Sequence, residues 1–290
     1  MKLTSDDIKR VKGLGCLQDK RYEDVFNVRV ITVNGKLTAD KMQAVAEASR
    51  LFGSGEVTMT SRMTLEIQGV KYEKLEELFA FLNEHCMESG GTGPKVRPVV
   101  SCKGTTCQYG LIDTFSLSEK IHERFYKGMH DVTLPHKFKI AVGGCPNSCV
   151  KPETNDIGIV GQRVPVFNED KCKNCKVCSA AEICAVKAAS FDDGFKINET
   201  CNGCGRCIAK CPFGAVEEKV NGYKMYIGGR WGKKKAVGKH LNKLFVTEDE
   251  LLDAIERTII LYRDEGIKGE RLSDTMMRLG VEYIENKILK

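Results

Sequence analysis

CNGCGRCIAKCP, residues 201–212, sets four cysteines and a proline at the spacing C-x2-C-x2-C-x3-C-P. This is the run by which bacterial ferredoxins hold iron–sulfur clusters. Three closely spaced thiolates wrap one corner of a cubane, and the fourth completes a neighbouring cluster. Upstream, CKNCKVCSAAEIC at 172–184 repeats the pattern, with two extra residues before its fourth cysteine and no proline after it. Under crossed ligation Cys172, Cys175, Cys178 and Cys211 hold one [4Fe–4S] cluster. Cys201, Cys204, Cys207 and Cys184 then hold the other. Because C-x2-C pairs also bind zinc, two zinc sites are the competing reading, although zinc ribbons rarely carry two successive runs of this kind. The spacing predicts a ferredoxin unit at 166–219.

The whole chain has 290 residues and 14 cysteines, a density that needs an explanation. Its start, MKLTSDDIKRVKG, is charged where an export signal is apolar. No run approaches the ~20 apolar residues of a membrane span. A cytoplasmic protein is therefore expected, in which clustered cysteine means metal or redox chemistry rather than disulfides. The net charge of +6 is mild, and no basic stripe is interleaved with aromatics, so nucleic acid is not an expected partner. Two cysteines stand apart. Cys86, on the apolar side of a predicted helix, is expected to be a buried structural thiol, while Cys16 lies in a Gly-rich turn and receives no role.

Around the ferredoxin unit the pattern is α+β. VFNVRVITV at 25–33 alternates like a half-buried strand. Thr38 opens a helix with Met42, Val45 and Leu51 on one face, stopped at Gly53. Two further strands are expected at 56–60 and 63–67, and a helix at 72–88 with Leu75, Leu78, Phe79 and Leu82 on one side. That β-α-β-β-α order predicts helices on one face of a small antiparallel sheet. Later come a helix near 116–127, strands in FKIAVG and DIGIVG, a capping box of Thr247 and Glu250 opening a helix to about 265, and a last helix capped by Ser273. The division is 1–90 as an α+β half-domain, 91–165 with 220–290 as a cofactor-binding domain, and 166–219 as the insert.

The remaining four cysteines, Cys102, Cys107, Cys145 and Cys149, fall outside the insert, in SCKGTTCQYG and GGCPNSCVKP. The glycines and proline of the second stretch suggest backbone lying close to a bulky cofactor. Spacing alone leaves a structural zinc site open. Together with EVTMTSRMTLEIQGV, LPHKFKIAVGGCPNSC, IGGRWG and DEGIKGER, these stretches resemble, in order, the siroheme-dependent sulfite and nitrite reductase family. The likeness is nearest to small anaerobic or dissimilatory-type subunits with an inserted ferredoxin domain. CKGTTC is one residue shorter than the C-x5-C usual in that family, which tightens the first loop.

The resemblance implies a third [4Fe–4S] cluster held by Cys102, Cys107, Cys145 and Cys149, with Cys149 bridging to the siroheme iron. It implies that Arg29, Arg97, Lys137 and Lys139 bind a small oxyanion, and that Arg62 and Arg230 grip siroheme carboxylates. Arginine offers a planar fork, and lysine a charge with a transferable proton. Lys233, Lys234 and Lys235 read as wet surface, and the five histidines, lacking ligand spacing, as structural or surface residues. The implied activity is sulfite reduction to sulfide. Nitrite reduction to ammonia and a non-catalytic electron-transfer or siroheme-handling role are the rivals. Larger family members carry two copies of the reductase half, so a single copy implies a homo- or hetero-oligomer, served by an electron-donor protein or subunit.

Overall fold

The structure, a computed structural model describing residues 3–290, begins with α1 (Ser5–Gly13) and β1 (Cys16–Gln18). Met1 and Lys2 of the charged start lie outside the described residues. β1 was not expected from sequence. It pairs antiparallel with β2 (Val25–Val30), and β3 (Val57–Met59) and β4 (Leu65–Lys71) complete a sheet of order β1-β2-β4-β3. Alternation in β2 buries Phe26, Val28 and Val30 and turns Arg29 to the opposite face, level with Glu66 of β4. One core joins that buried face to α1, α2 (Ala39–Phe52) and α3 (Leu75–Glu84).

Thr38 caps α2, its hydroxyl accepting the Lys41 N–H at 3.3 Å. The buried face of α2, however, is Ala44, Val45 and Ala48, while Met42 and Leu51 are exposed. Nine residues at 100° each set Met42 and Leu51 on opposite edges of the stripe, so one core cannot take both. Cys86 also departs from expectation. α3 stops at Glu84, and Cys86 follows in a left-handed conformation (φ 52°) with its thiol exposed. Cys16 is the buried thiol, and burial pushes its pKa up to about 12.

The second unit has the mixed sheet β11-β10-β7-β6-β5. Here β5 (Val100–Ser101), β6 (Ile140–Gly143) and β7 (Ile157–Phe167) are mutually parallel, and β10 (Val216–Ile227) and β11 (Lys239–Phe245) continue antiparallel. Its core gathers α4 (Thr114–Ile121), α6 (Glu248–Glu265), α7 (Leu272–Leu279) and α8 (Val281–Leu289). The helix expected at 116–127 is α4 running into a π-helical turn, His122–Lys127. Thr247 caps α6, but the Glu250 carboxylate faces Lys243 at 3.3 Å instead of returning to the cap. Ser273 is no cap. α7 begins one residue before it, and Asp274 accepts the Arg271 N–H at 3.1 Å.

β7 and β10 pair from Ile157↔Ile227 to Phe167↔Val216, a long stem carrying residues 168–215 at its tip. That lobe holds α5 (Ser179–Glu182), a hairpin of β8 (Ala189–Phe191) and β9 (Phe195–Ile197), and a core of only Ala180, Phe195, Ile208 and Val216. Among the described residues no helix is long and apolar enough to cross a membrane.

Candidate functional site

Parallel pairing of β5 with β6 decides where the third cysteine set lies. Ser101 and Val142 are partners near the carboxyl ends of these strands, and each strand then runs into a cysteine loop. The Gly144 N–H donates to Cys102 Sγ at 3.1 Å, joining the two loops. Cys102, Cys107, Cys145 and Cys149 all line one cavity of about 710 Å³. Among the described residues no three His, Cys, Asp or Glu side chains converge as a single-ion site requires. The four thiols share the wall of one space with room for a bulky group.

The glycines also let the loops themselves pack closely, and Gly104 and Gly144 line the cysteine cavity. A Cβ on Gly144 would stand 2.8 Å from the Gly104 Cα, and one on Gly143 would stand 2.8 Å from Pro152. Close approach here is between one cysteine loop and its neighbours in the chain. The αL conformation of Ser148 (φ 50°), between Cys145 and Cys149, is strain of the kind that collects at functional loops.

Cations gather at the other end of the same strands. Phe138 bridges Val96 in parallel, so Lys137 and Lys139 flank a buried residue and share the opposite face. The Arg97 N–H donates to the Phe138 carbonyl at 2.8 Å, and its guanidinium donates to the Gly91 carbonyl. Arg29 reaches the same carbonyl at 3.1 Å and pairs with Glu66 at 2.7 Å. Arg62 ties the half-domain to the second unit through Asn155 Oδ1 (2.8 Å) and the Pro98 carbonyl (2.7 Å), leaving its buried Nε unpartnered. Arg230 pairs with Asp274 at 2.9 Å. Lys233, Lys234 and Lys235 are exposed, with Lys235 over the Trp231 ring.

The electrostatics follow from this crowding. Burial first, then Arg62, Arg271 and Lys137, push Lys139 down to about 8. Burial and Arg29 bring Arg97 to about 10, and burial brings Arg62 to about 10. Lys137 is lowered by burial and by Arg271 and Arg97. Among the described residues Arg62, Arg97, Lys137 and Lys139 have no carboxylate in ion-pair contact.

Sequence reading missed the support beneath this row. Asp156 and Arg271 form a fully buried pair (Nη2–Oδ2 2.5 Å), and Asp156 also accepts the Lys139 backbone N–H at 2.8 Å. Arg271 closes DEGIKGER and Asp156 opens DIGIVG, so both stood in noted stretches with nothing local to join them. His136, expected as a structural or surface residue, sits beside the row. Its Nδ1 accepts the Lys137 N–H at 2.7 Å, and burial with Arg271, Lys137 and Arg97 lowers its pKa.

The insert docks beside the third cysteine set. The Arg163 N–H donates to the Gly203 carbonyl at 2.7 Å, and a second cavity, of about 570 Å³, is lined by both Cys145 and Cys204.

Residues 92–290 match the nitrite and sulphite reductase 4Fe-4S domain, and residues 18–85 the nitrite/sulfite reductase ferredoxin-like half domain. The coenzyme F420-dependent sulfite reductase of Methanocaldococcus jannaschii is 33% identical over 90% of this chain, which spans 42% of that protein. One of the subunits of the anaerobic sulfite reductase of Salmonella typhimurium is 30% identical, over 88% of this chain and 79% of its own length. The crystal structure of dissimilatory sulfite reductase I shares the fold, with a TM-score of 0.73 at 22% identity over 92% of this chain and 69% of that one. From the paired cysteine loops, the sheet order and the match across both units, the chain belongs to the nitrite and sulphite reductase family, oxidoreductases that use siroheme and [4Fe–4S] clusters.

Proposed function

We propose that this chain reduces sulfite to sulfide with siroheme and a [4Fe–4S] cluster that Cys102, Cys107, Cys145 and Cys149 would hold, Cys149 being the thiolate that would link the two. The observation that carries this reading is the row of Arg97, Lys137 and Lys139, part-buried cations without carboxylate partners among the described residues. Such a row suits a small oxyanion. The Methanocaldococcus and Salmonella relatives are both named sulfite reductases, which favours sulfite over nitrite.

When bound, the coupled siroheme and cluster supply electrons in succession to the oxyanion. The chain's own residues bind it and manage protons. Arg97 stays charged and offers a fork to the oxygens. Lys139, with a pKa of about 8, holds a proton on Nζ at neutral pH and can give it to a departing oxygen. Asp156 positions Lys139 through its backbone N–H, and Arg29, fixed by Glu66, holds the Gly91 carbonyl that Arg97 also uses. Arg230 and the free Nε of Arg62 are the donors left for siroheme carboxylates. In the relay, the cavity shared by Cys145 and Cys204 favours the cluster of Cys184, Cys201, Cys204 and Cys207 as the inner one. That of Cys172, Cys175, Cys178 and Cys211 is then the outer one, nearer the electron donor.

Lys139 precedes β6 and Cys145 follows it, on the order of 15–20 Å apart by strand rise. With cations and thiols at opposite ends of one strand, we propose that the cations of one subunit work with the thiols of another, either a second copy or a related chain. Mixing an inactive Lys139→Met chain with an inactive Cys102→Ala chain tests this. Recovered sulfite turnover, from mixed dimers holding one intact site, is expected. Turnover that stays absent in mixtures shown to form mixed dimers would sink it. Full turnover in Lys137→Met/Lys139→Met protein loaded with siroheme would replace the catalytic reading with an electron-carrying one, and comparing nitrite with sulfite decides the substrate.

A further inference from the structure

A cavity of about 580 Å³ lies between the half-domain and the α4 side of the second unit, apart from the cysteine loops. Its volume is that of a small-molecule pocket. Ile31, Val33, Leu37 and Met87 form an apolar wall. The N-terminus of α2, a 14-residue helix, opens onto it through Thr38 and Lys41. That helix end carries partial positive charge, although the Thr38 hydroxyl already takes the Lys41 N–H and Asp40 stands in the first turn. Two of the lysines in the lining are already neutralised, Lys36 by Glu119 at 3.1 Å and Lys127 by Glu123 at 2.8 Å. Glu88, also in the lining, acts on Lys127. Lys41 is left over. Its Nζ donates only to the Cys86 carbonyl, at 2.9 Å, and meets no carboxylate among the described residues.

The second observation is His122. It lines the cavity with 1% of its surface exposed, and neither ring nitrogen has a hydrogen-bond partner. Burial pushes it down to about 4, so the ring is neutral, with one donor and one acceptor unused. Buried polar groups are normally satisfied, and an orphaned pair calls for an occupant. His122 also opens the π-helical turn, a local form that recurs at functional sites. Its ring is held against Tyr126, centroids 4.6 Å apart.

We infer that this cavity is a second ligand site, for a small organic anion. The anionic head lies at the α2 N-terminus beside Lys41, the apolar body lies on Ile31, Val33, Leu37 and Met87, and a polar group of the ligand bonds His122. Carboxylate and phosphate heads share this chemistry.

Cys86, exposed at the cavity wall, supplies a readout in the intact, cluster-loaded protein. Its alkylation by iodoacetamide, followed on the Cys86 peptide by mass spectrometry, is measured with benzoate, phenyl phosphate or neutral benzyl alcohol. Saturating benzoate or phenyl phosphate is expected to slow alkylation by about fivefold or more, and the better of the two identifies the head group. Benzyl alcohol is expected to have little effect. Lys41→Glu should abolish the protection with sulfite turnover unchanged, and His122→Phe, which keeps an aromatic ring on Tyr126, should weaken it. An unchanged rate with both anions, equal protection by benzyl alcohol, or protection that survives Lys41→Glu would each overturn the assignment.

Discussion

In the insert the cysteines are near neighbours in sequence, and the fold around them is slight: one turn of helix, a two-stranded hairpin and a hydrophobic cluster of four buried residues. The reductase set draws its thiols from the ends of two parallel strands, on a unit with a large core of its own. On the proposed cluster assignment, ligation has to supply most of the structure of the first region. In the second a large core stands independently of the cysteines and positions them. A hydrophobic core of four residues cannot offset the conformational entropy of the forty-eight residues between Phe167 and Val216.

Iron removal separates the regions most sharply. Stripping iron with a chelator under reducing conditions should leave 168–215 open to protease while both larger units stay protected. Equal protection of the insert would remove the distinction. Next in size is the buried pair. Asp156→Asn strands Arg271 and should cost about 3–5 kcal/mol, read as a shift in the denaturation midpoint of the second unit with the insert's cluster absorbance unchanged. Lys139→Met should lower sulfite turnover by about 10²–10³-fold, the scale expected for losing one preorganised charge donor, with cluster content unaltered.

The pH response of Lys139 refines that. Because its pKa sits near 8, the charged form prevails below that value and is lost as pH rises through it. Affinity for nitrite, an anion throughout this range, should therefore be full at neutral pH and fall between about pH 7.5 and 9, whereas Lys139→Arg stays charged and flattens the curve. A wild-type curve already flat there would contradict a role for Lys139 in anion binding. The smallest effect concerns docking. Gly203 has φ 68°, and a Cβ there would stand 2.3 Å from Gln162 Oε1. Gly203→Ala should cost about 1–2 kcal/mol and slow reduction of the inner site by the insert, with all clusters retained.

The same contrast explains what sequence could reveal. Thr38 capping α2 and the Leu75, Leu78 and Leu82 face of α3, both set by local spacing, could be read directly. Features decided by tertiary partners could not. Asp156 and Arg271 are 115 residues apart, and only the sheet brings them together. Cys86 falls just beyond the end of α3, and its left-handed turn leaves no periodic signal. Met42 and Leu51 misled because apolar residues at a helix edge look like core until the facing surface is known. His122 carried no ligand spacing, and its unsatisfied nitrogens exist only in the packed structure.

Everything proposed for catalysis depends on Cys102, Cys107, Cys145 and Cys149 holding a cluster coupled to siroheme, separate from the two in the insert. Iron content and visible spectrum of anaerobically purified wild type and Cys102→Ala test it most directly. Wild type should show siroheme bands with about twelve cluster irons, at four per [4Fe–4S] cluster, plus the haem iron. Cys102→Ala should lose about four cluster irons and perturb the siroheme bands while the insert keeps its eight. A colourless wild type, or a Cys102→Ala protein with unchanged iron and spectrum, would contradict that assignment.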